Sequence, residues 1–266
     1  MIDIHHHLLW GLDDGASSIE TTMAMARMAA EDGITHVVCS PHANGKYTYD
    51  PAAIAAKIAE FERLLERERI GLTLGRGCDF HLSYDNILQA KADPARYSIN
   101  GLGYLLVEIP DYGLPPGLTE VFYDLQLAGL VPILTHPERN PTLQADRQRM
   151  VDWLQGGVLV QVTAGSVMGR MGKQAERMAH ELLERRWVHF LATDAHNTTS
   201  RAPRMSPAHD LVAQRYGPDY ARLLCVSNPL AAFMGKPLEQ QPEPLGLYEE
   251  LKPKNWWQRL TSQLWE

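Results

Sequence analysis

Short apolar runs alternate with longer amphipathic segments along the chain, a pattern typical of strands separated by helices. The first run, residues 1–4, alternates apolar and polar positions and leads directly into three histidines. Later apolar runs predict further strands, and apolar positions three to four residues apart predict the helices between them. The predicted strands cover residues 1–4, 34–40, 71–77, 104–107, 130–134, 158–162 and 187–192. The predicted helices begin near residues 17 and 50 and cover residues 118–128, 145–154 and about 167–185.

Local sequence marks where the first two helices begin. Ser17 is followed three residues later by Glu20, which is the spacing of a capping box, and Gly33 is placed to end this helix. Asp50 and Pro51 are the preferred cap and first-turn residues for the second helix. Strands that alternate with helices of this length predict a parallel sheet with right-handed crossovers. With about seven such units, we expect the sheet to close as a TIM-like α/β barrel.

The chain is long enough, at 266 residues, to form one large α/β domain. Neither a linker nor a low-complexity segment interrupts residues 1–235, so we predict that this stretch is a single barrel domain. A Pro-rich stretch follows, from Lys236 to Pro244, and predicts an extended strap. Residues 236–266 are therefore interpreted as a C-terminal strap and an amphipathic tail.

Composition excludes several classes of protein. A net charge of −7 argues against nucleic-acid binding through a broad basic surface. Cys39, Cys78 and Cys225 form neither a disulfide framework nor a Cys-x-x-Cys zinc motif, so we expect buried thiols in a reducing compartment. No signal peptide precedes the first strand and no apolar run is long enough to span a bilayer. The predicted location is therefore cytoplasmic.

Candidate metal ligands follow the ends of the predicted strands. His5 and His7 lie two residues apart at the end of the first strand, so both point to one side of it. A His-x-His pair alone is a weak motif, but the ends of later strands also carry histidines and acids. In barrels of this class, catalytic groups lie on the loops at this end. The candidate ligands are His5, His7, Asp14, His42, Asp79, Glu108, His136, Asp194 and His196.

This number of side chains exceeds the needs of one metal ion, so two or three divalent ions are predicted. Imidazole and carboxylate ligands without thiolates suit Mn, Fe or Zn. Closely spaced ions of this kind favour hydrolysis of phosphate esters. Arg139 and Arg201 follow the ligands of their loops, and guanidinium groups bind phosphate in a bidentate manner. Each residue alone has another explanation, such as a helix cap or an ordinary surface charge.

Successive motifs resemble, in order, those of the polymerase-and-histidinol-phosphatase (PHP) superfamily. The resemblance is strongest to its bacterial protein-tyrosine phosphatase branch, which is encoded with capsule and exopolysaccharide genes. It spans residues 1 to about 235. The motifs are Met1-Ile-Asp-Ile-His-His-His7, Asp13-Asp14-Gly15, Ser40-Pro-His42, Leu106-Val-Glu108, Thr135-His-Pro-Glu-Arg139 and Thr193-Asp-Ala-His-Asn197.

The resemblance implies a distorted (β/α)7 barrel with a trinuclear metal site, for which Mn is the favoured metal. It places Arg139 and Arg201 at positions that contact phosphate. The implied substrate is the phosphotyrosine tail of a membrane-bound bacterial tyrosine autokinase, and the implied role is regulation of capsule or exopolysaccharide synthesis. The implied ligand sets are His5, His7, Asp79 and Asp194 for one ion, Asp79, Glu108 and His136 for a second, and Asp14, His42 and His196 for a third.

One candidate ligand departs from the family pattern. Family members usually carry Glu where this chain has Asp79, whose side chain is one methylene shorter. Bridging two ions from this position would need a closer backbone, and Asp85 or His81 could compensate. Ser40-Pro-His42-Ala43 also replaces the usual Thr-Pro-His-His, which removes an imidazole but no ligand.

Two other functions and the role of the tail stay open. The same ions could serve a small-molecule phosphatase that hydrolyses histidinol phosphate or a nucleotide. The substitution at Asp79 could instead mark a degenerate PHP domain that is kept as a binding module. The Trp-rich tail, residues 252–266, is amphipathic if helical. It would either bind a membrane surface, which would make the protein membrane-peripheral, or pack on the barrel or at an oligomer contact.

Overall fold

Parallel strands alternate with helices throughout the part of the chain that the computed structural model describes, residues 1–110 and 113–248. Adjacent strands within these ranges all pair in parallel, so the predicted α/β class with parallel sheets is confirmed. The described strands are β1 (Ile2–His6), β2 (His36–Cys39), β3 (His42–Ala43), β4 (Thr73–Arg76), β5 (Asp79–His81), β6 (Tyr104–Glu108), β7 (Val131–Thr135), β8 (Leu159–Thr163) and β9 (Phe190–Ala192).

The longer helices bury an apolar face in the core. Short 3₁₀ turns lie at Ile99–Gly101, Pro137–Arg139 and Arg147–Met150, and a π-helical segment lies at Leu223–Ser227. The described α-helices are α1 (Ile19–Glu31), α2 (Pro51–Arg67), α3 (Tyr84–Ala92), α4 (Leu118–Leu127), α5 (Pro141–Ala145), α6 (Val151–Gln155), α7 (Ala164–Val167), α8 (Lys173–Glu184), α9 (Ser206–Tyr216), α10 (Pro218–Arg222) and α11 (Asn228–Phe233).

The strands form two sheets, with the orders β1-β2-β4 and β3-β5-β6-β7-β8-β9. The sequence predicted one unbroken strand at residues 34–40 and another at 71–77. Each is shorter and is followed by a second short strand that pairs in the other sheet. Pro41 lies at the first break, and it has no N–H to donate to a sheet. The closed (β/α)7 barrel expected from the sequence stays a prediction at this point.

The helices also differ in detail from the prediction. The cap of α1 is Ser18, one residue after the predicted Ser17, and its hydroxyl accepts a hydrogen bond from the backbone N–H of Thr21 at 3.3 Å. Asp50 caps α2 as predicted. The predicted helix at 167–185 is broken into α7 and α8, since Gly169 and Gly172 have φ values of +72° and +90°. The region 145–154 contains a 3₁₀ turn and then α6. Helices α3 and α9–α11 were not predicted from the sequence.

The C-terminal part of the described chain covers the end of the sheets where the strands begin. Phe233 packs edge-on against His36, with ring centroids 5.2 Å apart, and its carbonyl accepts a hydrogen bond from Asn100 at 2.9 Å. The Tyr104 hydroxyl donates to the carbonyl of Lys236 at 2.8 Å. His36 therefore lies at the start of β2, and its side chain is only partly buried. The opposite end of the strands remains available for a site.

The predictions for the cysteines, the C-terminal strap, the tail and the membrane have different outcomes. The three cysteines are buried free thiols, as predicted. Residues 236–248 contain neither a helix nor a strand, and the backbone N–H of Leu245 donates to the carbonyl of Arg185 at 2.8 Å. The domain boundary at residue 235 stays a prediction, and the Trp-rich tail at 252–266 lies outside the described residues. Among the helices of the described ranges, none is long and apolar enough to cross a membrane.

Close packing at Gly75 provides a test of this fold. A Cβ atom at Gly75 would lie 2.5 Å from a ring carbon of Phe233 and 2.9 Å from Asn100 Oδ1, which is held by a hydrogen bond from the Arg76 N–H. We expect Gly75→Ala to lower the free energy of unfolding by about 1–3 kcal/mol, the usual cost of overpacking, in urea denaturation. Gly71→Ala is the matched control, because nothing lies within 4 Å of a Cβ there. Equal urea midpoints for the two variants would contradict this packing.

Candidate metal centre

All of the predicted ligands meet at the carboxyl ends of the strands and in the loops that follow them. They form overlapping groups in which one candidate ligand atom per residue lies within 4.8 Å of the others. The groups are His7, Asp14, His42 and His196; His5, Asp79 and His136; His5, His7 and Asp194; and His42, Asp79 and Glu108. The structure therefore brings together every His, Asp and Glu side chain that the sequence proposed for the centre.

Strand register accounts for this convergence. His42 is the register partner of Asp79 between β3 and β5, and Glu108 is at the end of the next strand in the sheet. Beyond β9, the backbone N–H of His7 donates to the carbonyl of Ala195 at 3.0 Å, and that of Asp194 donates to the carbonyl of His5 at 2.9 Å. Residues far apart in sequence thus reach the same level because their strands run parallel and side by side.

Three histidines are oriented by hydrogen bonds from outside the centre. In each of them Nδ1–H donates to an oxygen, so Nε2 is left for the centre. Metal-binding histidines are commonly held in this way, because the outer acceptor fixes both the tautomer and the ring orientation. The acceptors are Gln161 Oε1 for His5 (2.9 Å), Asp13 Oδ2 for His7 (2.6 Å) and the Asp194 carbonyl for His196 (3.0 Å).

Asp79 occupies the middle of the cluster despite its short side chain. Its Oδ2 lies 3.3 Å from His5 Nε2 and 3.2 Å from His42 Nδ1, and the residue is only 1% exposed. Asp79 belongs to two of the ligand groups, whereas neither His81 nor Asp85 belongs to any group among the described residues. The position at which the resemblance implied a Glu is therefore filled by a carboxylate in this chain.

Several polar atoms of the centre are buried without a hydrogen-bond partner in the described residues. They include both carboxylate oxygens of Asp79, Nδ1 of His42 and Nε2 of His196. A buried polar atom without a partner costs roughly 1–3 kcal/mol, so such atoms are rarely left unpaired in a folded protein. All of them are oxygen or imidazole nitrogen atoms, the donor types that bind Mn, Fe or Zn. The residues present therefore fit divalent cations.

The ligand groups differ in part from the sets that the resemblance implied. His136 lies with His5 and Asp79, and His42 lies with Asp79 and Glu108 as well as with Asp14. The resemblance had placed His136 with Asp79 and Glu108, and His136 Nε2 does lie 3.7 Å from Glu108 Oε1. It had kept His42 apart from Asp79. His42 connects two groups because its ring nitrogens face different acids. Its Nε2 is 3.4 Å from Asp14 Oδ1, and its Nδ1 is 3.2 Å from Asp79 Oδ2. The division of these residues among individual ions stays a prediction.

The charges within the cluster shift several pKa values. Burial opposes protonation of His5, but the carboxylates of Asp79 and Asp194 outweigh it and raise its pKa to about 9. Burial would raise the pKa of Asp79, but the positive charges of His5 and His42 hold it well below its usual value. Burial, followed by the negative charge of Asp79, raises the pKa of Glu108 to about 8. Carboxylates packed this closely require positive charge, which a divalent cation supplies.

The two predicted arginines contact the centre and are partly exposed. Arg139 Nη1 lies 2.5 Å from Asp194 Oδ2, and Arg201 Nη2 donates to the same oxygen. Their side chains are 30% and 25% exposed, whereas Asp194 is 1% exposed. Asn197 fixes the loop that carries Arg201, after β9, since its Oδ1 accepts a hydrogen bond from the Arg201 N–H at 3.0 Å. Phosphate contact by Arg139 and Arg201 stays a prediction.

Supporting residues that the sequence analysis missed hold these side chains in place. Asp13 and Gln161 orient histidines, as described above. Asp3 is buried and accepts hydrogen bonds from the N–H of Thr193 at 3.0 Å, from the Thr193 hydroxyl and from the N–H of His5 at 3.3 Å. Asp3 and Asp13 could have been noticed within the motifs quoted above. Gln161 belongs to no motif, so its role emerges only from the structure.

The backbone is strained at two ligand positions. His136 has a φ of +35° and Asp194 a φ of +52°, and non-glycine residues rarely adopt this region. Glycine is also needed near a third ligand, because a Cβ at Gly15 would lie 2.5 Å from His7 Cβ. Strained conformations persist where the surrounding contacts over-determine them, and they cluster at functional sites.

Fold and site together define a parallel α/β protein with a His- and carboxylate-rich candidate metal centre at the carboxyl ends of its strands. The capsular polysaccharide synthesis family CpsB/CapC has a model that matches residues 1–234, and the chain belongs to this family. The resemblance to the capsule-associated branch is therefore confirmed.

Known relatives match over nearly their whole length. Tyrosine-protein phosphatase YwqE of Bacillus subtilis is 32% identical over 246 residues, which cover 92% of this chain and 96% of YwqE. Tyrosine-protein phosphatase CpsB of Streptococcus pneumoniae is 27% identical over 242 residues, which cover 88% of this chain and 98% of CpsB. A crystal structure from work on these two proteins, described as unique metal-dependent tyrosine phosphatases, matches with a TM-score of 0.86 at 31% identity. It covers 92% of this chain and 99% of the other.

The hydrogen bond from His5 to Gln161 provides a test of the centre. Gln161→Leu removes the acceptor that orients His5, and we expect it to lower the affinity for Mn²⁺ by about tenfold to a hundredfold in calorimetric titration. Gln161→Glu keeps an acceptor oxygen and should retain more of the affinity. Gln126→Leu is the control, because its amide donates instead to the carbonyl of Gly156 at 2.8 Å. Wild-type affinity in Gln161→Leu would argue against an orienting role.

Proposed function

We propose that this protein is a metal-dependent protein-tyrosine phosphatase that acts on a bacterial tyrosine kinase and thereby regulates capsule or exopolysaccharide synthesis. The observation that carries this proposal is the set of three imidazoles held through Nδ1, so that their Nε2 atoms face the carboxylates of Asp79, Asp194 and Asp14. The substrate class is supported by family membership and by relatives that are named tyrosine-protein phosphatases. The proposed partner is the phosphotyrosine tail of a membrane-bound kinase.

The proposed cofactors are two or three divalent ions, with Mn²⁺ favoured over Fe or Zn. When bound, such ions activate water and stabilise negative charge on the oxygens of a phosphate ester. The unpaired buried atoms of Asp79, His42 and His196 support this assignment. The side chains that would hold the ions are His5, His7, Asp14, His42, Asp79, Glu108, His136, Asp194 and His196.

Arg139 and Arg201 are proposed to hold the phosphate group of the substrate. A guanidinium has five N–H donors, and these two groups share one oxygen of Asp194. Nε of Arg201 makes no hydrogen bond within the described residues, so at least one donor is unused there. Two guanidiniums on one side of the centre would bind and orient a phosphate and would balance its charge beside the carboxylates.

The finer architecture that goes with this function is a distorted (β/α)7 barrel over residues 1–235. In support, β2 continues into β3 after Ser40 and Pro41, and β4 continues into β5 after two residues. Counting each of these pairs as one strand leaves seven strands, and a parallel bridge between His6 and Ala195 links β1 to the segment after β9. The cytoplasmic location predicted from the sequence is part of the same proposal.

Metal content and substrate preference test the proposal together. With Mn²⁺ bound, we expect kcat/KM for a phosphotyrosine peptide to exceed that for histidinol phosphate by about tenfold or more. Removal of the ions by a chelator should abolish turnover, and added Mn²⁺ should restore it. Equal values for the two substrates would favour the small-molecule phosphatase. Absence of both bound metal and activity, with and without added Mn²⁺, would instead favour the binding module.

Removal of one arginine tests the proposed phosphate contact. We expect Arg139→Ala to lower kcat/KM for the phosphotyrosine peptide by a factor on the order of 10² to 10³, since it removes a charged donor to the transition state. Arg139→Lys keeps the charge but not the planar fork, so it should recover only part of the rate. Arg149→Ala is the control, because Arg149 is half-exposed and pairs with Asp146 at 3.2 Å. A rate near that of the wild type in Arg139→Ala would refute the contact.

A further inference from the structure

The aromatic ring of Tyr47 stands beside the metal centre and has no part in the chemistry proposed above. It lies nearly parallel to the imidazole of His42, with 14° between the ring planes and 6.1 Å between the centroids. At this distance parallel rings are offset, so part of the Tyr47 face extends beyond His42. Tyr47 is only partly buried, whereas the side chain of His42 is 12% exposed. The Tyr47 ring therefore continues the wall of the centre towards solvent.

Backbone contacts hold Tyr47 in this position. Asn44 Oδ1 accepts hydrogen bonds from the N–H groups of Lys46 at 2.9 Å and Tyr47 at 3.0 Å, and the Asn44 N–H donates to the Tyr47 carbonyl at 3.2 Å. Asn86 Nδ2 donates to the carbonyl of Ala43 at 2.8 Å, which ties the start of the loop to α3. A tyrosine has two side-chain torsions, so a ring that is already positioned loses little entropy when a ligand binds.

The rim of the centre, at Lys46 and Tyr47, carries a charge that suits an anionic ligand. Lys46 is exposed, and its Nζ lies 4.7 Å from the centroid of the Tyr47 ring. The chain carries a net charge of −7, and the centre beside this rim is rich in carboxylates. A positive charge held near the opening offsets this local repulsion for an approaching phosphate ester.

The depth of the centre determines what part of a substrate reaches Tyr47. The side chains of His42 and His136 are 12% exposed and that of Asp79 is 1% exposed, so a phosphate group must enter below the rim. A group attached to the ester oxygen would then extend outwards from the centre, where the Tyr47 ring lies beside His42. In phosphotyrosine this group is an aromatic ring, whereas in phosphoserine it is a single methylene.

We propose that Tyr47 is a specificity-determining residue, whose ring packs against the aromatic ring of phosphotyrosine when the phosphate reaches the centre. The inference rests on the proposed phosphatase function. Aromatic rings in offset contact attract each other beyond their buried area, and an alkyl phosphate ester presents no ring at this position. Tyr47 thus favours aryl over alkyl phosphate esters without touching the reacting atoms.

The test uses the full-length, Mn²⁺-loaded protein and two peptides of one sequence that carry phosphotyrosine or phosphoserine at the same position. We expect Tyr47→Leu to lower kcat/KM for the phosphotyrosine peptide by roughly threefold to tenfold and to leave that for the phosphoserine peptide nearly unchanged. Tyr47→Phe keeps the ring and should behave like the wild type. Tyr123→Leu is the matched control, since Tyr123 is 60% exposed on α4.

Binding of phenylphosphonate and methylphosphonate gives the same comparison without turnover. In calorimetric titration, Tyr47→Leu should lower the affinity for phenylphosphonate by the same factor and leave the affinity for methylphosphonate unchanged. Equal losses for both ligands would overturn the inference, because Tyr47 would then only support His42. An unchanged preference in Tyr47→Leu would overturn it as well. If the wild type does not hydrolyse the phosphotyrosine peptide, the proposed function itself is rejected. If the wild type is active and Tyr47→Leu has the same preference, only the inference about Tyr47 is rejected.

Discussion

The buried carboxylate of Asp194 connects His5 and His7, at the end of the first strand, to the partly exposed side chains of Arg139 and Arg201. Its Oδ1 lies 3.5 Å from His5 Nε2 and 3.4 Å from His7 Nε2, while its Oδ2 accepts from Arg139 and Arg201. A carboxylate that is 1% exposed would be costly without compensating charge. Burial raises its pKa, but the positive charges around it, led by His5, hold the pKa well below its usual value. Removing this one group would leave the histidines and the guanidiniums without their common partner.

The contacts around Asp194 explain how the chain maintains a strained backbone there. A non-glycine residue in this region costs on the order of 1–3 kcal/mol. Asp3 holds the preceding residue, Thr193, through its backbone and its hydroxyl, and the N–H of Asp194 donates to the carbonyl of His5. The carbonyl of Asp194 in turn accepts from His196 Nδ1. Each of these bonds ties the loop after β9 to β1 or to the next ligand, so the contact of this loop with β1 and the ligand geometry depend on the same residues.

The candidate ligands could be predicted because parallel strands bring their carboxyl ends to one edge, so that sequence position alone places His42, Asp79 and Glu108 together. The grouping of these side chains could not be predicted, since it depends on which ring nitrogen faces which acid. The supporting residues were missed for a related reason. Gln161 acts across strands and has no fixed spacing from His5, with which it pairs. The short strand β3 was also missed, because the predicted strand ended at residue 40, before Pro41, and two residues show no apolar pattern of their own.

The composition of the centre bears on activity, and its surroundings bear on substrate choice. Asp79 lies within reach of both His5 and His42, so the substitution that suggested an inactive domain does not leave its position empty. The ions and the arginines would act on the phosphate group, which every phosphomonoester shares. They therefore cannot by themselves separate a protein substrate from a small molecule. Selection must come from residues that contact the leaving group, outside the set of ligands. Tyr47 is proposed for this role, because its ring lies beside His42 and its backbone is held by Asn44.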